Sequence, residues 1–122
     1  MAAVHGAAAE VAYAHIFSTP FPLDEARARW GGHSGRVWLA RRGGLLVGFA
    51  AAEDAELDGL YVLPQDGGSG IGSSLLQAVG EVRRLWVLER NNAARQWYER
   101  RGWRNSGERQ GAYGVWDVRY VR

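Results

Sequence analysis

Two stretches of the chain combine residue types that do chemistry at spacings that let them act together. The first is Leu60-Tyr61-Val62-Leu63-Pro64-Gln65-Asp66-Gly67-Gly68-Ser69-Gly70-Ile71-Gly72-Ser73, in which four of the six positions from Gly67 to Gly72 are glycine. Glycine lets a backbone approach a ligand closely and take up positive φ. A helix that starts directly after such a turn offers unpaired N–H groups and the positive end of its dipole, which suits phosphate. Three readings compete. A tight strand-to-helix turn needs only one or two glycines. A dinucleotide fingerprint needs G-x-G-x-x-G, but Ser73 stands where the third glycine belongs and no acidic residue closes a second strand some ~20 residues later. The third reading is a diphosphate held by main-chain amides.

The second stretch is Asn91-Asn92-Ala93-Ala94-Arg95-Gln96-Trp97-Tyr98-Glu99-Arg100-Arg101-Gly102-Trp103. It reads as an amphipathic helix with an asparagine cap and a glycine stop, with Ala94, Trp97 and Tyr98 on one face. Taken alone, Tyr98 is a core aromatic with its hydroxyl satisfied. Seven residues of helix span ~10 Å on nearly one face, so Asn91 and Tyr98 can line one extended ligand.

The elements around these stretches follow from period and punctuation. Ala7–Phe17 reads as a helix stopped by Pro20 and Pro22, and Glu25–Trp30 as a second, capped by Asp24. Arg36–Ala40, Leu45–Ala51 and Leu57–Leu63 read as three strands of an antiparallel meander, with a tight turn at Arg42-Gly43-Gly44. A helix from Ile71 to Val82 carries Ile71, Leu75, Val79 and Val82 on one stripe. Leu85–Leu88 is a fourth strand, Ala93–Arg101 the next helix, and Trp103–Arg104 with Tyr113–Val121 one or two more strands. The expectation is one α+β domain over residues 1–122, with a mixed, mostly antiparallel sheet flanked by helices.

Composition excludes other chemistry. The chain has 122 residues, room for one core, and no cysteine, so thiol nucleophiles, disulfides and Cys-based zinc sites are ruled out. All 15 basic residues are arginine, which removes a Walker lysine and Schiff-base catalysis. His5, His15 and His33 share no ligand spacing, so no metal is expected. A net charge of +2, with arginines scattered in small groups, gives no nucleic-acid footprint. No apolar run approaches the ~20 residues of a membrane span, and Met1–Glu10 lacks the features of a signal peptide. A cytoplasmic protein is expected.

The run Leu60–Gly72 resembles motif A of the GNAT superfamily of N-acyltransferases, L-Y-V-x-P-x-x-[QR]-G-x-G-[IL]-G. It matches at Leu60, Tyr61, Val62, Pro64, Gly68, Gly70, Ile71 and Gly72, and departs at Gly67, where the family has Gln or Arg. The second stretch is similar to that superfamily's N-x-x-A-x-x-[FL]-Y-[ED]-[KR]-x-G-F, with Trp97 and Trp103 replacing smaller hydrophobic residues. The resemblance implies a three-layer fold and acetyl-CoA as cofactor. It places the coenzyme on Leu60, Tyr61, Val62, Gly67, Gly68, Ser69, Gly70, Ile71, Gly72, Ser73 and Asn91. In that family the asparagine bonds the cofactor arm, the tyrosine donates a proton to the departing thiolate, and a strand N–H receives the oxyanion. Those roles fall on Asn91, Tyr98 and Leu60–Val62.

The implied reaction is direct attack of a primary amine, of a small molecule or a peptide, on the thioester. A base must take the amine proton. Glu56 and Asp58 alternate onto the strand face of Leu60 and Val62, Glu53 precedes them, and His33 lies upstream; Asp58 is the first choice. The family's usual leading strand has only Ala2–His5 to supply it, and an uncovered sheet edge suggests a homodimer through the C-terminal strands. Two further functions fit parts of the sequence: a non-catalytic acyl-CoA-binding regulatory domain, favoured by Gly67, and a nucleotide-binding module. The acceptor is set by loops such as Ser18–Pro22, His33–Gly35 and Asn105–Tyr113, which carry no motif.

Overall fold

The structure, a computed structural model, describes Ala3, residues 35–112 and residues 114–122. The expected helices Ala7–Phe17 and Glu25–Trp30 and the base candidate His33 lie outside the described residues, as does the expected strand Ala2–His5 apart from Ala3.

Six strands form one sheet: β1 (Arg36–Arg42), β2 (Leu45–Glu53), β3 (Glu56–Val62), β4 (Arg84–Leu88), β5 (Arg104–Ala112) and β6 (Val115–Val121). Their order is β1-β2-β3-β4-β6-β5. The β1–β2–β3 meander is antiparallel as expected. Its first turn places Gly43 and Gly44 at φ 58 and 84, the pair of positive values that a two-residue hairpin needs. β3 and β4 are parallel, joined by a connection that carries helix α1 (Ile71–Val79). Helix α2 (Asn92–Glu99) then leads to the antiparallel β5–β6 pair.

One sheet face carries the main core. Ala50 and Ala52 of β2, Leu57 of β3, Leu85 and Val87 of β4, and Val118 and Tyr120 of β6 pack with Leu75, Leu76 and Val79 of α1. Tyr98 and Trp103 close the same cluster from the α2 side. Gly48 lets α1 lie down on the sheet. A Cβ there would stand 3.0 Å from the Tyr61 carbonyl oxygen and 3.3 Å from both Ile71 Cγ2 and Leu75 Cδ1. Gly48→Val is therefore expected to cost roughly 1–3 kcal/mol of stability through overpacking, read as a lowered urea midpoint at unchanged slope.

Two elements differ from the sequence expectation. The first helix ends at Val79 rather than Val82, because Gly80 turns the chain at φ 75, ψ −116. Val82 still reaches the core, from the following turn. The segment Asn105–Tyr113, expected as an acceptor loop, is mostly strand β5. β5 is the outermost strand, and its described side chains from Arg104 to Gly111 are exposed. An edge strand solvated on both faces needs no apolar alternation, so periodicity has nothing to detect. Its pairing breaks register between Asn105 and Arg109, where Gly107 has φ 94.

Candidate active site

The site begins where two parallel strands part. β3 and β4 pair only at Glu56↔Arg84 and Leu57↔Leu85. Beyond Leu57 the edge of β3 that faces β4 has no strand partner among the described residues, which leaves a wedge with main-chain groups of Gly59–Val62 on one wall. Each strand runs at its carboxyl end into a helix: β3 through the glycine turn into α1, β4 through Asn91 into α2. Open sheets bind ligands outside such strand ends. The two helices touch, since a Cβ on Gly72 would stand 3.3 Å from Trp97 Cζ2.

The turn is braced by its own backbone. Leu63 N–H donates to the Val47 carbonyl at 2.8 Å, and Asp66 and Gly67 N–H donate to the Leu63 and Pro64 carbonyls at 2.9 and 3.1 Å. Ser69 Oγ donates to the Asp66 carbonyl, and the buried Asp66 carboxylate lies 3.5 Å from Arg42 Nε. Gly68 and Gly70 have φ 77 and 86. Gly70 is the N-cap of α1; no side chain caps the helix and no acidic residue lies in its first turn. A Cβ at Gly68 or Gly70 would find no atom of the described residues within 4 Å. Packing does not demand these glycines. Their backbone conformation does, and the space they leave lies beside uncapped N–H groups, which fits an anion.

The second helix presents the other two predicted residues. Asn91 is its N-cap: Oδ1 accepts from Ala94 N–H at 3.2 Å, so the cap occupies the oxygen and not Nδ2. Tyr98 is buried and held edge-on between the rings of Trp97 (5.1 Å) and Trp103 (5.8 Å). Burial, with a smaller contribution from the neighbouring Tyr61, raises its phenol well above the usual tyrosine range. It stays a neutral O–H donor across the physiological range. The expected glycine stop is present, with Gly102 at φ 91.

β3 corrects one inference about the base. Its pairing with β2 shifts register between Ala51 and Ala52, opposite Gly59 and Leu57, so Asp58 is the extra residue of a bulge. The alternation is broken there. Leu57 packs in the core cluster with Leu60 and Val62 against it, while Tyr61 lies against Phe49 at 5.3 Å. Glu56 is committed to a structural cluster: Arg119 donates to both its oxygens at 2.9 and 2.7 Å, and Arg84 donates at 3.1 Å.

Sequence reasoning missed the residues that fasten α2. Tyr120 of β6 donates its hydroxyl to Glu99, and Arg95 donates to that hydroxyl at 2.9 Å and to the Glu89 carbonyl at 2.8 Å. It also missed Arg101, whose Nη2 donates to Ser73 Oγ at 2.9 Å across the first turn of α1. The acidic position of the second motif was the signal for Glu99. No local pattern points to Tyr120 or Arg101, because both contacts are long-range.

The fold is that of an acetyltransferase. The family model described as "Acetyltransferase (GNAT) domain" matches residues 33–105, more than half of the 122, and the chain belongs to that family. A GCN5-related N-acetyltransferase from Rhodopseudomonas palustris is 24% identical over 98% of this chain and 84% of its own, with a TM-score of 0.74. The PaiA N-acetyltransferase of Thermoplasma acidophilum, solved with coenzyme A, is 18% identical over 99% and 90% of the two chains, with a TM-score of 0.70. Arabidopsis thaliana Naa50, in complex with the bisubstrate analogue CoA-Ac-MVNAL, is 20% identical over 93% and 88%, with a TM-score of 0.59. At these identities the likeness is one of fold. No curated protein matches the chain in sequence.

Proposed function

We propose that the chain is an N-acetyltransferase that transfers an acetyl group from acetyl-CoA to a primary amine of a small molecule or peptide. The observation that carries this reading is the pairing, on two touching helices, of an uncapped glycine cradle with a buried, neutral tyrosine. The coenzyme A of the Thermoplasma protein and the peptide-bearing analogue of Naa50 support the cofactor and the acceptor class.

When bound, acetyl-CoA supplies an activated thioester. The chain's residues do the rest. Main-chain N–H groups of Gly68–Ser73 would hold the diphosphate, the Gly67 N–H being taken by the Pro64 carbonyl, and Asn91 Nδ2 would donate to the arm. The edge of β3 that faces β4, within Leu60–Val62, would offer a main-chain donor to the oxygen on which negative charge develops. Asp58, at the bulge beside that edge, accepts the amine proton. Tyr98 keeps its proton at the phenol oxygen and directs it to the departing sulfur.

Two measurements test the proposal together: calorimetry with acetyl-CoA, and release of free thiol in the presence of an amine panel. Binding with amine-dependent thiol release is expected. Binding without release from any amine would leave a coenzyme-binding domain and no enzyme, and absence of binding would remove both.

A further inference from the structure

The pattern matched by Leu60–Gly72 has a Gln or Arg where this chain has Gly67. The backbone at Gly67 is ordinary, at φ −64 and ψ 146, so its dihedrals admit a side chain, with an added Cβ standing close to the Pro64 carbonyl oxygen at 3.2 Å. The turn simply lacks its long polar group.

A guanidinium from elsewhere stands close by. Arg101, just past the end of α2, donates from Nη2 to Ser73 Oγ at 2.9 Å and from Nη1 to the Trp97 carbonyl at 2.9 Å. Its guanidinium carbon lies 3.7 Å from the centre of the Trp97 ring. That ring is seated on Gly72, where an added Cβ would stand 3.3 Å from Trp97 Cζ2. The cation is therefore fixed in position against the first turn of α1. Five N–H donors belong to an arginine, and the two contacts leave others over. Ser73 accepts through its oxygen, which leaves its hydroxyl proton to donate outward.

The electrostatics of this placement are incomplete. Arg42, Arg84, Arg109 and Arg119 each pair with a carboxylate. Among the described residues Arg101 pairs with none. A cation beside a helix N-terminus meets the positive end of the dipole, an unfavourable arrangement without a counter-anion. No acidic side chain lies in that first turn to provide one. The partner these groups fit is an external anion with several acceptor oxygens.

We infer that Arg101, steadied by Ser73 and Trp97, is a phosphate anchor of the cofactor site and replaces electrostatically the side chain that Gly67 lacks. The inference rests on the coenzyme reading above. The anion is a phosphate group of coenzyme A, in the diphosphate or at the 3′ position.

Calorimetry on the whole chain separates these outcomes, using coenzyme A and 3′-dephospho-coenzyme A as probes with wild type, Arg101→Gln and Arg101→Lys. Arg101→Gln is expected to weaken coenzyme A binding about 10- to 100-fold at low salt, with Arg101→Lys between it and wild type. The gap should narrow as salt rises to ~0.5 M, which the loss of a merely structural contact would not produce. An equal penalty with both probes assigns Arg101 to the diphosphate; a penalty that vanishes with the dephospho probe assigns it to the 3′-phosphate. Arg101→Gln binding coenzyme A within about twofold of wild type at low salt would overturn the inference. Because wild-type binding is measured alongside, that failure is distinct from failure of the coenzyme reading itself, in which wild type binds neither probe. If Arg101→Gln melts early, Arg101→Lys, which keeps the charge and loses the planar fork, decides the same question.

Discussion

Tyr98→Phe is expected to lower kcat by about ten- to a thousand-fold while leaving the Kd for acetyl-CoA within about twofold. The hydroxyl is the only group removed, and the ring contacts with Trp97 and Trp103 that seat it are kept. The raised phenol pKa sharpens what the hydroxyl can do. A free thiol has a pKa of ~8.5 and an ordinary tyrosine ~10. With burial first and Tyr61 second pushing Tyr98 higher still, full transfer of its proton to a thiolate runs uphill. The group then acts by donating a strong hydrogen bond to the sulfur as charge collects there, and the thiolate is protonated on leaving. Its ionisation also leaves no mark on the pH–rate profile below pH ~10. The sign for stability follows. Tyr98 ionises more readily in the unfolded chain, so its contribution is intact below pH ~10 and is lost as pH climbs from there toward the folded value. Wild type should lose stability in strong alkali more steeply than Tyr98→Phe. Stopped-time thiol release and alkaline melting curves measure the two effects. An unchanged kcat removes Tyr98 from the chemistry.

The sequence made the local parts of this site legible and left the long-range parts hidden. The glycine turn, the Asn91 cap and the Gly102 stop are backbone requirements, and residues that meet them announce themselves in order along the chain. The β1–β2–β3 meander was visible for the same reason: alternating apolar residues broken by Gly43-Gly44. Hidden were features set by partners far away in sequence. β5 is a strand because β6 offers it hydrogen bonds, and none of its own residues has to be apolar. The bulge at Asp58 arises from the register of β2 against β3, so strict alternation does not carry through that carboxylate. Arg101 reads as one arginine of a surface pair until the fold carries it across to Ser73, 28 residues away in sequence.

Gly70→Val is the second large effect, and it tests the cradle by contrast with another glycine of the same helix. Gly70 and Gly80 flank α1 with φ 86 and 75, and a Cβ at either would meet no atom of the described residues within 4 Å. Valine at Gly70 (ψ 0) carries a strain of about 1–3 kcal/mol, because a β-branched residue is forced into positive φ, and at Gly80, whose ψ of −116 lies outside the left-handed region, it carries more. Both variants should therefore melt several degrees lower. They should part company on the ligand. At Gly70 the added methyls stand over the uncapped N–H groups of the first turn, in the space a diphosphate would need, and affinity for acetyl-CoA should fall about 100-fold or more. At Gly80, the far end of the helix, affinity should stay within about threefold. Equal affinities for the two variants would mean that the glycines serve the turn alone. A loss confined to Gly70 ties the open space at that residue to the ligand, since the Gly80 variant bears the greater strain on the same helix and fold.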